Sequence, residues 1–147
     1  MGILGHTFFM PRLKRMPRQS ALMLLVAPHA FRFFAITGYE QASYNPLLPM
    51  AWAQATAIAD FATCIAAILA LIALGRRSSL AIPFVWACNL IGLYAYGDST
   101  LKMVTDHVPV HLLYAVWFLA VFWVPMLMWS HILLCRVLLG KRSLTAA

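Results

Sequence analysis

The sequence predicts an all-α fold: a bundle of four transmembrane helices with both ends in the cytoplasm. Three observations carry that expectation. Of the 147 residues, 63% are hydrophobic and only 10% charged, where a soluble domain holds about 25% charged and about 45–50% apolar residues. The apolar residues gather into four runs of helical length separated by short polar breaks. The basic residues alternate from break to break in the order that orients membrane helices. One small core could not cover this much apolar surface in water, because a short chain buries only part of itself; lipid solvates the remainder. The length allows a single domain.

The elements follow in order. Residues 1–19 form a basic cytoplasmic segment with Arg12, Lys14, Arg15 and Arg18. A span needs roughly 20 mostly apolar residues, and 20–39 supplies the first. The apolar stretch Ala21–Ala27 is cut by Pro28, His29 and Arg32, short for the hydrophobic part of a cleaved leader, so the span is expected to be retained. Met10 or Met16 as the start would still leave basic residues ahead of it. Asn45-Pro46 and Pro49 then interrupt the chain before the second span, 51–74. Gly75-Arg76-Arg77-Ser78-Ser79 reads as a tight turn, with glycine ending one helix and serine capping the next. The third span is 80–97. The polar stretch 98–110, ending in Val108-Pro109, reads as a loop. The fourth span, 112–139, is long enough to tilt, and 140–147 is a cytoplasmic tail.

The first break holds Glu40 and no Lys or Arg. The second holds Arg76 and Arg77, the third Lys102 against Asp98 and Asp106, and the tail region Arg136, Lys141 and Arg142. This places both termini inside, in a bacterial cytoplasmic (inner) membrane. The net charge of +7 therefore serves orientation, and nucleic acid is not an expected partner. The expected partner is the lipid bilayer, with a homo-oligomer or larger membrane complex as a further option. Cys64, Cys88 and Cys135 form no CxxC and read as small apolar side chains.

Ionisable groups at membrane depth are expensive and mark functional candidates. Here they are His29, Arg32, Asp60 and His131, joined by Asn89. Arg32 and Asp60 lie at matching depths in two spans that a short loop makes neighbours and antiparallel. An aspartate can neutralise a buried guanidinium through hydrogen bonds, so an ion pair is expected between them. It either fastens the helices or lines a ligand or proton site. His29 stands one turn before Arg32, and Pro28 disturbs the backbone ladder beside them. On the second span Thr56, Asp60, Thr63 and Cys64 share a stripe. Beside it Ala51, Ala55, Ala59, Thr63 and Ala67 repeat every four residues, a spacing that lets helices approach closely in lipid. In the third span Trp86, Asn89, Gly92 and Tyr96 fall at helical spacing. Asn89 needs a partner there, because an unsatisfied amide in lipid costs several kcal/mol or about that order. His131 is placed by counting in the inner half of the fourth span, apart from the others.

No cofactor is expected. Haem b between His29 and His131 is the minor option, since bundles do hold such pairs but the two depths differ. Asp106, His107 and His111 have metal-like spacing, yet Pro109 interrupts them, and no metal is expected. Tyr39, Tyr44, Trp52, Tyr114 and Trp117 read as interface anchors, and Trp123 and Trp129, which lie deeper, as packing residues first and pocket-lining residues second.

Some of these features form a pattern: His29 with Phe31-Arg32, Ala59-Asp60, Val85-Trp86 with Asn89 and Gly92, and Pro125 with His131. Over residues 28–140 the chain resembles a family of small four-span bacterial membrane proteins without an assigned activity. That family has Gly-Asp where this chain has Ala59-Asp60. A weaker resemblance is to the DoxX-like four-span proteins, in size and topology. The resemblance implies the fold and no reaction.

No nucleophile elbow, P-loop, Rossmann glycine pattern or HExxH zinc motif is present. The leading expectation is a non-enzymatic membrane protein, either a small accessory subunit or a binder of a lipid-like small molecule, with His29, Arg32, Asp60 and Asn89 as ligand candidates and His131 as a secondary one. The alternatives are an enzyme on a lipid-like substrate using His29, Asp60 and Asn89 as acid–base groups, an analogy only, and an oligomeric transporter with Asp60 as coupling carboxylate.

Overall fold

A computed structural model describes residues 10–108 and 119–140, and every element among them is helical. A short helix α1 (Met10–Arg15) precedes α2 (Arg18–Val26), a 3₁₀ stretch (Ala27–Ala35) and α3 (Ile36–Tyr44). The last three run on as one helix of 27 residues, Arg18–Tyr44. Then come α4 (Met50–Gly75), α5 (Ala81–Thr105), a π-helical turn (Leu119–Trp123) and α6 (Val124–Leu139). The sequence expectations for 1–9, 109–118 and 141–147, including His111, Tyr114, Trp117, Lys141 and Arg142, lie outside the described residues.

Among the described residues, three helices are long and apolar enough to cross a membrane: Arg18–Tyr44, Met50–Gly75 and Val121–Leu139. The fourth rod, α5, has the length at 25 residues, but Asn89, Tyr94, Tyr96 and Asp98 dilute its apolar character. It also runs further than the sequence suggested, through the stretch read as a loop, to Thr105. Nothing between Gly97 and Thr105 breaks a helix. Lys102 Nζ bonds Asp98 Oδ2 one turn back at 2.7 Å, and the helix stops where His107 turns left-handed at φ 50°.

Neighbouring helices alternate in direction. At one end Gln19 Nε2 donates to Leu74 O and Arg18 Nη2 to Leu138 O at 3.0 Å. At the other, Trp52 Nε1 donates to Ser99 O at 3.2 Å. The main apolar core lies toward the first end, where Leu22, Leu25 and Val26 meet Ala67, Ala70, Leu74, Val85, Cys88, Leu134 and Leu138. A smaller cluster of Ala42, Leu48, Trp52, Ala53 and Val108 closes the second.

Helix α4 is inverted relative to a soluble helix. Its buried face is small (Ala53, Thr63, Cys64, Ala66, Ala67, Ala70, Ala73), whereas Ile58, Phe61, Ile65, Ile68, Leu69 and Ile72 point outward. Small residues inside and large aliphatic ones outside suit close helix contact with lipid as the solvent. The buried face is not the expected four-residue stripe: Ala51 is exposed while Thr63 and Ala67 are sealed. Positions four apart slide about 40° around a helix at each step, so five of them cannot stay on one face.

The irregular turns have local causes. Pro28 lacks an N–H and crowds the carbonyl four residues earlier, and the ladder tightens into 3₁₀ from Ala27 onward. Pro125 does the same to the last rod, and a π turn sits immediately before α6. Pro83 falls in the first turn of α5, where no N–H is needed. At the end of α4 the left-handed position is Arg77, at φ 52°, while Gly75 is still helical. Ser78 N–H donates to Ala73 O at 2.9 Å and Arg77 N–H to Leu74 O at 3.1 Å, the paired bonds of a Schellman cap. Neither serine caps α5 through its side chain; Ser78 Oγ accepts from Leu80 N–H at 3.2 Å.

Candidate functional site

A 3₁₀ helix has three residues per turn, so i and i+3 eclipse. This aligns His29, Arg32 and Ala35 in one row along the first rod, and Gly38 follows in the first turn of α3. His29 is sealed from solvent and Arg32 is 4% exposed. Arg32 meets Asp60 across the interface with α4: Nε donates to Oδ1 at 2.7 Å, and Nη2 donates to the same oxygen. The expected juxtaposition is thus present. The guanidinium also lies over the Tyr96 ring, 4.4 Å from its centroid, a favourable face for a cation.

His131 is not apart from this pair. Its Nε2 lies 3.2 Å from Arg32 Nη1, its Nδ1 is 2.9 Å from Asn89 Oδ1, and its ring stacks on His29 with centroids 4.1 Å apart. These contacts put His131 level with Arg32 and Asn89, not below them as counting along the fourth span suggested.

The partners fix the proton positions. Asn89 Oδ1 only accepts, so His131 Nδ1 carries the proton and Nε2 accepts from Arg32. Asn89 Nδ2 donates to Cys135 Sγ at 3.0 Å, which satisfies the amide the sequence required to be paired. Ser130 Oγ gives its proton to Leu127 O at 2.9 Å and so accepts from His29 Nε2 at 2.6 Å. A single hydrogen-bonded chain thus links Cys135, Asn89, His131, Arg32 and Asp60. In low dielectric such a chain is costly unless complete, and strong when it is. The two histidine rings lie against each other with a 34° tilt between their planes.

Gly92 makes this assembly possible. A Cβ there would overlap His131 Cε1 and Nε2 and stand 3.0 Å from Arg32 Nη1. Glycine is needed for close approach, with no call on its backbone freedom.

Beside the cluster, toward the Trp52 end, lies a cavity of about 200 Å³. Arg32 and Asp60 form its floor. Ala35, Gly38, Trp52, Thr56, Tyr96, Ser99 and Leu127 are among its walls. Gly38 is buried, yet a Cβ there would meet nothing within 4 Å, so the missing side chain is part of the open space. Thr56 and Ser99 hydroxyls bond each other at 3.0 Å across the α4–α5 seam. Asp60 keeps 16% of its side chain exposed, and its Oδ2 accepts no hydrogen bond among the described residues, both Arg32 bonds going to Oδ1.

Of the expected site residues, Arg32 and Asp60 face the cavity, whereas His29, Asn89 and His131 lie behind them. The sequence reading missed Tyr96, Ser130 and Gly92 as site residues; Asn89, Gly92 and Tyr96 at i, i+3 and i+7 were the available signal. It also reads Trp52 as an interface anchor. Trp52 is 8% exposed and lines the cavity instead of anchoring at an interface, because its N–H finds Ser99 O. Trp123 lines the cavity too, set there by the π turn, while Trp129 packs against the main core. Cys64 and Cys88 are buried and Cys135 half-buried, all free, and Cys64 Sγ donates to Ala30 O at 3.0 Å beside the 3₁₀ stretch.

A family model described as Domain of unknown function (DUF8737) matches residues 1–139. No curated protein and no solved structure matches the chain.

Proposed function

The chain belongs to the DUF8737 domain family, which brings no assigned activity, and from that premise we propose that it is a small bacterial inner-membrane protein that binds a lipid-like small molecule inside its helix bundle. The bundle crosses the membrane four times with both ends in the cytoplasm. Three rods have the apolar length on their own, and α5 is the fourth crossing, since it pairs antiparallel with α4 after a turn of only a few residues. Asn89 and Tyr96 face inward and are buried, while Leu90 is exposed. Arg12, Arg15, Arg18, Arg76, Arg77 and Arg136 gather at the cytoplasmic end, and Glu40, Asp98 and Asp106 at the other.

One observation carries the binding reading: the cavity at the Arg32–Asp60 pair, lined by Gly38 where any side chain would intrude. A pair serving only to fasten two helices needs no space beside it. A cavity of about 150 Å³ holds one benzene ring, so about 200 Å³ holds one or two rings or a short branched chain. Of the residues considered for acid–base chemistry, Asp60 alone reaches this space. The test is mass spectrometry of small molecules extracted from protein purified from its membrane. Wild type is expected to carry a species that Gly38→Leu lacks; identical extracts from two well-folded proteins would refute the reading.

A further inference from the structure

We infer that the occupant of the cavity is a neutral, membrane-soluble alcohol or phenol whose hydroxyl donates to Asp60 Oδ2. This rests on the cavity-binding reading above and adds the ligand's chemical class.

The first argument is charge balance. Arg32 and Asp60 form the ionised floor, and their charges cancel. A second net charge would lose its hydration in a low-dielectric space with no counter-ion left for it. An anion would face the carboxylate directly. A cation would compete with Arg32 for a carboxylate already accepting two of its N–H groups.

The second argument is hydrogen-bond direction. Arg32 is 4% exposed, and each of its three nitrogens already has a partner, Nε and Nη2 on Asp60 Oδ1 and Nη1 on His131 Nε2. Asp60 is less fully engaged. It presents an ionised oxygen, Oδ2, which has no partner among the described residues. An acceptor of this strength selects an O–H donor, and bonds to charged groups are the stronger class. The Thr56–Ser99 hydroxyl pair stands on the same side. The remaining walls, Ala35, Trp52, Ala95 and Leu127 among them, suit a flat or branched hydrocarbon body.

The experiment uses the full chain in nanodiscs, dialysed to equilibrium against protein-free nanodiscs so that partition into lipid cancels. The probes share one body and differ in the polar group: 2-naphthol, 2-methoxynaphthalene, 2-naphthylmethylammonium and 2-naphthoate. The expected result is saturable binding of 2-naphthol, about tenfold or more tighter than 2-methoxynaphthalene, which accepts but does not donate. Gly38→Leu, whose Cβ starts in open space and whose side chain fills the cavity, is expected to lower that binding at least tenfold while melting like wild type. Equal affinity for naphthol and its methyl ether, or tighter binding of the ammonium or the carboxylate, overturns the alcohol assignment while the cavity reading stands. No saturable binding of any probe overturns both.

Discussion

Gly92 and Gly97 lie on the same helix, α5, and replacing each with alanine should move stability in opposite directions. At Gly97, which is exposed, a Cβ meets nothing within 4 Å. The substitution should simply recover the propensity difference, stabilising by about 0.5–1 kcal/mol. At Gly92 the same methyl overlaps two atoms of the His131 ring and stands 3.0 Å from Arg32 Nη1. The ring has little room to yield. It stacks on His29 at 4.1 Å and lies edge-on to Tyr96 with centroids 5.8 Å apart. Its Nδ1 is held by Asn89 Oδ1 at 2.9 Å. Overfilling a well-filled interior costs about 1–3 kcal/mol. Displacing the imidazole also breaks its bonds to Asn89 and Arg32, each worth about 1 kcal/mol or more. After the helix-propensity gain of about 1 kcal/mol, Gly92→Ala should be destabilised by about 2–4 kcal/mol. Reversible unfolding in mixed detergent micelles, followed by circular dichroism, measures both variants against wild type. If Gly92→Ala matched Gly97→Ala, the buried polar cluster would not be assembled as described.

Other consequences can be checked in the same unfolding assay. Arg32→Ala and Asp60→Ala should each destabilise by about 3–5 kcal/mol, because each leaves a buried charge without its partner. The double variant should fall well short of the sum, and additive effects would mean that the pair is not coupled. Arg77→Gly should stabilise by about 1 kcal/mol, since a side chain in the left-handed region costs about 1–2 kcal/mol; a lower midpoint would argue against a left-handed residue there. Reporter fusions should place both tails and the Arg76–Arg77 turn in the cytoplasm and the 45–49 turn on the far side. Tails on opposite sides would leave an odd number of crossings and remove α5 as a span.

Much of the site was legible because neighbouring antiparallel helices bring equal depths together. The matching positions of Arg32 and Asp60 in the first two rods were enough to suggest their contact, and the need of Asn89 for a partner was plain from its surroundings. His131 was misplaced because a depth counted from an assumed span end carries any error in that end to every residue along the span. The row of His29, Arg32 and Ala35 depends on a nine-residue 3₁₀ stretch. Pro28 signals that the ladder is disturbed there but not that it tightens for so long, since such runs rarely exceed three or four residues. The small-residue stripe of α4 was read with the wrong period. Gly92 and Gly38 look alike in sequence, yet one lets a neighbour in and the other leaves a space open, and only their surroundings distinguish them.

The claim at the centre of this account is that the space above Arg32 and Asp60 is occupied in the membrane. It is tested most directly by difference density between crystals of the wild-type protein and of Gly38→Leu, each taken from its membrane without delipidation. The account predicts density for one small molecule in the wild type, bounded by Trp52, Ala95 and Leu127 with a polar end at Asp60 Oδ2, and none in Gly38→Leu. A wild-type cavity closed by the protein's own side chains, or the same density in both crystals, would contradict it.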